Sequence, residues 1–329
     1  MGLFEYGIKN LVNTCLHVKR NEKVLIITDV KTSDISEHIR REAGNLTNRI
    51  GFILLEDFGE RPITEFPKEI GDAIASSDVT IYAAQSIQGE TFPFRRLLLD
   101  AAIKSKARHA HMPDVNREVV ETGLAVDSEI VQNVTDRVYN EVSNCKEINV
   151  RGRNGTDITA SFKKRYKWIN LGPIVNNGSW SDLPGGEVMT YPDDINGIFV
   201  VDGVLGDYFV KYGILKRTPV GLVIEKGVVT EISCKNTILK RELKKYLESV
   251  PKGKRVGQFA LGTNIFLKDF IGVILQDEKF PTVHIALGNP YPKMTRAPYS
   301  AETHVDGITK NVSVFADGKL ILQKGKYLI

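Results

Sequence analysis

Apolar residues follow two alternating patterns along the first part of the chain. Short apolar runs predict buried strands, and they occur at Lys23–Thr28, Arg49–Leu55, Asp78–Ala83 and Ala107–Met112. Apolar residues at helical spacing predict helices, and these lie at Tyr6–Leu16, Thr32–Gly44, Pro67–Ser76 and Phe94–Ala107. Strands that alternate with helices are typical of a doubly wound parallel sheet with helices on both faces. We therefore predict an α/β fold for this part.

The pattern changes after a helix predicted at Val126–Asn144. Two strand-like runs flank Asn154 and Gly155, a pair that predicts a hairpin turn. A helix is predicted at Thr237–Ser249, and further short strands are predicted at Gly197–Asp202, Val220–Lys226 and Val228–Cys234. This order is typical of an α+β fold with mostly antiparallel strands. We predict an α/β domain at residues 1–145 and an α+β, metal-binding domain at residues 146–329.

Composition limits the classes of protein to which the chain can belong. Hydrophobic residues make up 42% and charged residues 26%, as in ordinary globular proteins. Cys15, Cys145 and Cys234 are far apart, which argues against a disulfide framework and favours the cytoplasm. The first residues do not resemble a secretion signal, and no apolar run approaches the ~20 residues that span a bilayer. The net charge of +4 is slight, so we expect neither nucleic acid nor membrane as a partner.

The predicted α/β part lacks a nucleotide-binding fingerprint. D-V-K-T-S-D follows its first strand, without Gly-x-Gly-x-x-Gly or a Gly-Lys-Ser/Thr loop. His109 and His111 alternate on the fourth strand and therefore share a face. A metal pair completed by Asp114 is one interpretation. We prefer hydrogen-bonded histidines near the carboxyl edge of the sheet.

Two C-terminal segments concentrate residues of the kinds that bind metals. His284 lies in the apolar run Val283–Leu287, which predicts a buried strand that ends in a turn. His304 and Asp306 are two residues apart, so they point to the same face of an extended strand. Two histidines and one carboxylate are a common ligand set for divalent zinc, cobalt, manganese or iron. The alternative is a core histidine and a surface pair.

A third segment places Glu187 directly after Gly185 and Gly186. Paired glycines allow a sharp turn and a close approach of the backbone, so this carboxylate is a candidate metal ligand or general base. The alternative is a plain turn with an exposed glutamate. Further along, the segment Val256–Asn264 predicts a strand that runs into a Gly-Thr-Asn turn.

The order of these segments resembles the metallo-aminopeptidases of the aminopeptidase T and aminopeptidase S type. The shared stretches are L-P-G-G-E-V, G-x-F-A-L-G-T-N, H-I-A-L-G-x-x-Y and H-V-D. In that family two glutamates, two histidines, a tyrosine and an aspartate surround a two-metal centre. The resemblance carries these roles, except for one glutamate, onto Glu187, His284, Tyr291, His304 and Asp306. The second glutamate falls on Gln258, whose neutral amide is a poor metal ligand.

The same segments are similar to those of the iron(II) dihydroxypyridine ring-cleaving dioxygenases. Those enzymes hold one iron ion with two histidines and one aspartate. The resemblance assigns these roles to His284, His304 and Asp306. Gln258 favours this alternative, because a single metal ion needs no bridging glutamate. The short chain favours it as well.

We expect an aminopeptidase-like hydrolase that removes N-terminal residues from peptides with metal-activated water. Glu187 and Tyr291 are then catalytic, and a divalent zinc, cobalt or manganese ion is held by His284, His304, Asp306 and Glu187. The first alternative is the mononuclear iron(II) dioxygenase, and the second is an inactive, metal-retaining binding protein. We expect a small peptide or a small aromatic substrate as the partner, and a homodimer as the assembly.

Overall fold

A computed structural model gives the fold and describes residues 1–329, apart from the side chain of Asp207. The chain divides into two compact units. Unit 1 comprises Met1–Gln132 and Gly172–Gly185, and unit 2 comprises Asn133–Leu171 and Gly186–Ile329. The boundary that the sequence suggests, between residues 145 and 146, stays a prediction about which parts of the chain fold alone.

The regular elements, in chain order, are α1 Leu3–Lys9, β1 Val24–Thr28, α2 Ser33–Gly44, β2 Ile50–Leu54, α3 Lys68–Ala75, β3 Val79–Ala83, α4 Arg96–Ser105, β4 Arg108–His111, α5 Arg117–Val119, α6 Ser128–Val142, β5 Glu147–Gly152, β6 Asp157–Ser161, β7 Ile169–Leu171, β8 Trp180–Asp182, β9 Glu187–Thr190, β10 Asp194–Val201, β11 Val220–Glu225, β12 Val228–Cys234, α7 Thr237–Glu248, β13 Val256–Gly262, α8 Ile274–Asp277, β14 Val283–Gly288, α9 Pro292–Thr295, β15 His304–Ile308, β16 Val312–Ala316, β17 Lys319–Gln323 and β18 Lys326–Tyr327. Segments of π-helix lie at Asn10–Cys15, Thr91–Arg95 and Val120–Leu124, and 3₁₀ segments lie at Leu55–Phe58 and Asp207–Tyr212.

Unit 1 is built on a parallel sheet, sheet A, with the strand order β2-β1-β3-β4-β8. Strands β1 and β3 are buried along their whole length, as expected for a parallel sheet covered on both faces. Apolar residues of these strands pack with α3 and α4, among them Leu25, Ile27, Ile70 and Leu98. The predicted α/β architecture is confirmed.

Unit 2 is built on antiparallel sheets, here named sheet B and sheet C. Sheet B has the order β12-β11-β10-β6-β5-β16-β17-β18, and sheet C has the order β15-β14-β13-β9-β7. One buried apolar cluster joins residues of both sheets with α7, including Val150, Phe199, Leu243, Phe259 and Ile285. The predicted α+β architecture with mostly antiparallel strands is confirmed, and so is the hairpin at Asn154 and Gly155, which joins β5 to β6.

The structure differs from the predicted elements where the regular segments are short or change type. The helix predicted at Tyr6–Leu16 begins earlier, at Leu3, and changes to a π-helix at Asn10. The sequence did not predict the short strands β7, β8 and β9, because three or four residues are too few to show a period. Within the part of the chain that the structure describes, none of the helices has the length and apolar composition of a membrane span.

Candidate metal centre

One face of sheet C gathers the residues that the C-terminal motifs singled out. Directly paired residues of antiparallel strands, and residues two apart on one strand, point to the same face. Asp306 pairs with Ala286, which is two residues from His284, and His304 pairs with Gly288. Gln258 also pairs with Ala286, and Glu187 pairs with Gly262. Glu187, Gln258, His284, His304 and Asp306 therefore share a face, while the alternate residues Val283, Ile285 and Leu287 enter the apolar core.

Both carboxylate oxygens of Glu187 have partners inside the protein. Gln258 Nε2 donates a hydrogen bond to Glu187 Oε1 at 2.8 Å, and Lys279 Nζ donates to Glu187 Oε2 at 2.8 Å. His284 Nε2 lies 3.3 Å from Glu187 Oε1 and 3.2 Å from Gln258 Nε2. Lys279 also forms an ion pair with Glu278 and is fully buried. Glu187 is therefore the centre of a buried ionic cluster.

His304 and Asp306 form a second pair on the same face. His304 Nδ1 donates to the carbonyl oxygen of Asn289 at 2.9 Å, because a carbonyl can only accept. This bond fixes the ring so that Nε2 lies 3.4 Å from Asp306 Oδ1. The ring of Tyr291 packs edge-to-face on the His304 ring at 4.7 Å. Tyr291 has a left-handed backbone conformation, with φ 52° and ψ 60°, an arrangement that tends to persist at functional sites.

Both carboxyl groups of this face stay ionised. Burial raises the pKa of Glu187, but the charge of Lys279 and the hydrogen bond with His284 outweigh it and lower the pKa to about 2. Burial likewise raises the pKa of Asp306, but the neighbouring His304 lowers it below its usual range. A buried centre with ionised carboxylates attracts cations.

Unsatisfied atoms on this face test whether the site suits a metal ion. Gln258 Oε1, His284 Nδ1 and Asp306 Oδ1 are buried and have no hydrogen-bond partner. Buried polar atoms almost always have one, so three such atoms on one face indicate an ion or a ligand. Imidazole nitrogen and carboxylate oxygen are the donors that zinc and iron(II) use. The residues therefore fit a divalent ion.

The four predicted ligands do not form one compact cluster. Among the described residues, the acidic and histidine group whose ligand atoms all lie within 4.8 Å of one another is Glu187, Glu278 and His284. His304 and Asp306 lie outside this group, so the predicted ligands stand as two pairs. His284 and Asp306 are diagonal neighbours on the adjacent strands β14 and β15. Residues in such diagonal positions are about 7–8 Å apart, so their side chains are within reach of a common ligand.

Sequence reasoning missed Lys279 and Glu278. They belong to D-E-K-F-P, which has the composition of a solvated turn. The one available signal was position, because this turn lies directly before the strand that carries His284.

The histidines of unit 1 form a separate buried network. His109 Nδ1 lies 2.8 Å from Thr80 Oγ1, and His109 Nε2 lies 3.3 Å from His111 Nδ1. Burial lowers the pKa of both rings, that of His109 to about 3, so both are neutral. The rings of Tyr82 and His111 stack. These contacts agree with the preferred interpretation of hydrogen-bonded histidines.

An ion triad lies where parallel sheets of this order usually bind ligands, beyond the carboxyl ends of β1 and β3. Asp29 Oδ2 accepts from the backbone N–H of Gln85 at 2.7 Å, which links the ends of the two strands. Arg61 forms ion pairs with Asp29 and Glu90 and is buried with them. The triad therefore occupies part of the edge of sheet A at which ligands of such sheets commonly bind.

Comparison with known proteins adds to this picture. The family model of NicX, 2,5-dihydroxypyridine 5,6-dioxygenase, matches residues 122–257. No curated protein matches the chain by sequence. The 2,5-dihydroxypyridine dioxygenase of Pseudomonas putida KT2440 aligns with 98% of this chain and 96% of its own, at 15% identity and a TM-score of 0.72. Wild-type AmpT of Thermus thermophilus, an aminopeptidase T, aligns with 99% of both chains, at 15% identity and a TM-score of 0.71.

The chain has the fold of these two enzymes. The TM-scores of 0.72 and 0.71 establish the shared fold, and an identity of 15% shows nothing beyond the fold. The reaction has to be argued from the side chains of the site.

Proposed function

We propose that the protein is a single-metal enzyme that opens a dihydroxylated aromatic ring with O₂. One observation carries the proposal. Gln258 and Lys279 each donate a hydrogen bond to one oxygen of Glu187, so this carboxylate could bridge two metals only if both donors moved away. Glu278 is also paired with Lys279, and the other ligand-type side chains are His284, His304 and Asp306. Two histidines and one carboxylate are the facial triad of non-haem iron(II) oxygenases, which leaves positions open for substrate and O₂.

Iron(II) held by these three side chains would supply the activation of O₂ and of the ring hydroxyl. The other residues prepare the site. The Asn289 carbonyl fixes the His304 ring with Nε2 toward Asp306. We assign Tyr291 to orient a substrate hydroxyl by its phenol oxygen, because its ring packs on His304. The match to a dioxygenase family model supports the substrate class.

The aminopeptidase-like hydrolase is the second candidate. The fold shared with AmpT supports it, and so does an ionised carboxylate, Glu187, beside His284. A general base works best with a pKa near the operating pH. The pKa of Glu187, about 2, and its bonds to Lys279 and Gln258 make it a weak base, so we place the hydrolase second.

Reconstitution of the metal-free protein tests the two candidates side by side. We expect O₂ consumption with iron(II) and 2,5-dihydroxypyridine, and no release of aniline from amino-acid anilides with zinc, cobalt or manganese. Asp306→Asn should abolish O₂ consumption, whereas Asp269→Asn, at an aspartate whose side chain is 72% exposed, should not. Anilide cleavage together with a silent oxygen electrode would reverse the order. Silence in both assays would favour the metal-retaining binding protein.

Glu187→Gln gives a second separation. If Glu187 is the base of a hydrolase, anilide cleavage should fall by on the order of 10²–10⁴. In the proposed dioxygenase, Glu187 only positions its neighbours, so ring opening should fall by less than ~10-fold.

A further inference from the structure

Lys279 is a cation placed inside the acidic part of the centre. It is 0% exposed, and its Nζ lies 2.8 Å from Glu187 Oε2 and pairs with Glu278. A buried ammonium without partners is costly, whereas one between two carboxylates is compensated. The position of Lys279 is therefore tied to these two acids.

The same two acids belong to the group that could hold a metal. Ligand atoms of Glu187, Glu278 and His284 all lie within 4.8 Å of one another. The ammonium of Lys279 bonds to both carboxylates of this group, so a metal ion bound there would have to displace it. The position suited to a second metal already contains a positive charge.

Charge balance leads to the same number of metal ions. Among the described side chains of the centre, three carboxylates belong to Glu187, Glu278 and Asp306, and one ammonium belongs to Lys279. They leave two negative charges, which one divalent ion neutralises. A second divalent ion would leave an excess of two positive charges in a buried site, which is unfavourable. Gln258, a neutral amide, adds no charge to this balance.

We propose that Lys279 is the second cation of the centre: its ammonium takes the place of a second metal ion and limits the protein to one metal ion per chain. This inference rests on the proposed metal site and defines its stoichiometry. It also makes Lys279 and Gln258 a functional pair. Exchanging both, by Lys279→Met with Gln258→Glu, leaves four carboxylates, which two divalent ions would neutralise.

The test is the number of metal ions bound. Each protein is saturated with Mn²⁺, freed of unbound ions by gel filtration and analysed for manganese by mass spectrometry. We expect one ion per chain in the wild type and two in the folded double variant. The matched control is Lys310→Met, which removes a partly buried, ion-paired lysine of the same unit and should leave one ion per chain. A folded double variant that keeps one ion would overturn the inference.

Should the double variant fail to fold, the wild type still decides. X-ray absorption of the Mn²⁺-saturated wild type should show no metal neighbour at about 3.5–4 Å, the separation of two-metal sites. Such a neighbour, or two ions per chain, refutes the role of Lys279. Ring opening by a two-metal wild type would refute this inference alone, and one tightly bound ion without ring opening would refute the proposed reaction alone.

Discussion

His304 illustrates how a single side chain is prepared for a ligand. Its Nδ1–H is held by a backbone carbonyl, so the opposite nitrogen is directed to Asp306. Metal-binding histidines commonly have such a second bond, which sets both the tautomer and the ring orientation. The acceptor is a backbone carbonyl, so no flexible side chain has to be held in place. Asn289 is itself fixed, because its side chain donates a hydrogen bond to the segment that precedes β15.

His304→Asn should lower the bound metal severely while the fold is kept. The shorter amide cannot carry a nitrogen to the position of Nε2, and loss of one of three ligands weakens binding by at least the 10- to 100-fold seen for outer-shell changes. Metal analysis after dialysis measures the effect. His17→Asn, at an exposed histidine of unit 1, is the control and should retain full metal. Full occupancy in His304→Asn would place the metal elsewhere.

A residue of the centre could be predicted from the sequence only where the local pattern shows to which face its side chain points. His284, His304 and Asp306 lie in extended segments, where alternation reveals a shared face. Lys279 lies in a turn, and its burial depends on contacts with Glu187, which is far away in the sequence. Local periodicity contains no information about such a contact, so the cation of the centre was found only in the structure.

At the scale of elements, Gly288 sets the relation between β14 and β15. It has φ +101°, and a Cβ atom there would lie 2.3 Å from the carbonyl oxygen of Thr303, the residue before His304. Only glycine allows the two strands to approach so closely. The sequence showed this glycine as the end of a strand, but the close approach to Thr303 is a tertiary contact.

Gly288→Ala should therefore destabilise unit 2 and disturb His304. We expect a loss of about 2–4 kcal/mol in the free energy of unfolding, from backbone strain together with overpacking. Gly318→Ala is the matched control, because that glycine has φ +84° and no atom within 4 Å of the added Cβ. It should lose only about 1 kcal/mol, from strain alone. Equal losses in urea titrations would show that the contact with Thr303 is unimportant.

Strand β4 gives unit 1 a pH dependence. Burial lowers the pKa of His109 to about 3 and lowers that of His111 as well, whereas an unfolded histidine has a pKa of ~6.5. Below ~pH 6.5 the unfolded chain binds protons that the folded unit cannot bind. Stability is therefore fully present above that pH and falls by up to ~1.4 kcal/mol per pH unit for each ring.

Replacing one of the two histidine rings should halve the decrease in unfolding free energy per pH unit. His111→Phe keeps an aromatic ring against Tyr82 but no longer titrates, so the loss of unfolding free energy between ~pH 6.5 and ~pH 5 should be about half that of the wild type. Urea titrations at several pH values measure it. His17→Asn should leave the slope unchanged. An unaltered slope in His111→Phe would mean that this ring is not held neutral.

At the scale of the whole molecule, the order of the units along the chain matters. Sheet A receives its edge strand, β8, from Gly172–Gly185, after part of unit 2 has intervened. The sequence revealed the α/β and α+β textures, because they depend on local periods. It did not reveal this return, because β8 has only three residues and its partner lies in another part of the chain.

Fragments test where the units divide. Residues 1–145 lack β8 and leave β4 with an unpaired edge, so we expect this fragment to unfold at a lower urea concentration than a fragment that includes β8. Residues 1–132 joined by a short Gly-Ser linker to residues 172–185 should be monomeric and more stable by on the order of 2 kcal/mol, since the Trp180 side chain is returned to His111. The linker can be short, because Gln132 already accepts from the backbone N–H of Ile174. A stable, monomeric 1–145 fragment would support the boundary near residue 145.

The late arrival of β8 also has a consequence for synthesis of the chain on the ribosome. Strand β4 ends at His111 and its partner begins at Trp180, so about 70 residues separate them. At ~5–20 residues per second, that interval lasts roughly 4–14 s, during which the edge of β4 has no partner strand. The waiting strand reads R-H-A-H, far more polar than β1 or β3. Charged and polar side chains discourage an open edge from pairing with a neighbouring nascent chain. The composition of β4 therefore protects its edge until β8 has been synthesised.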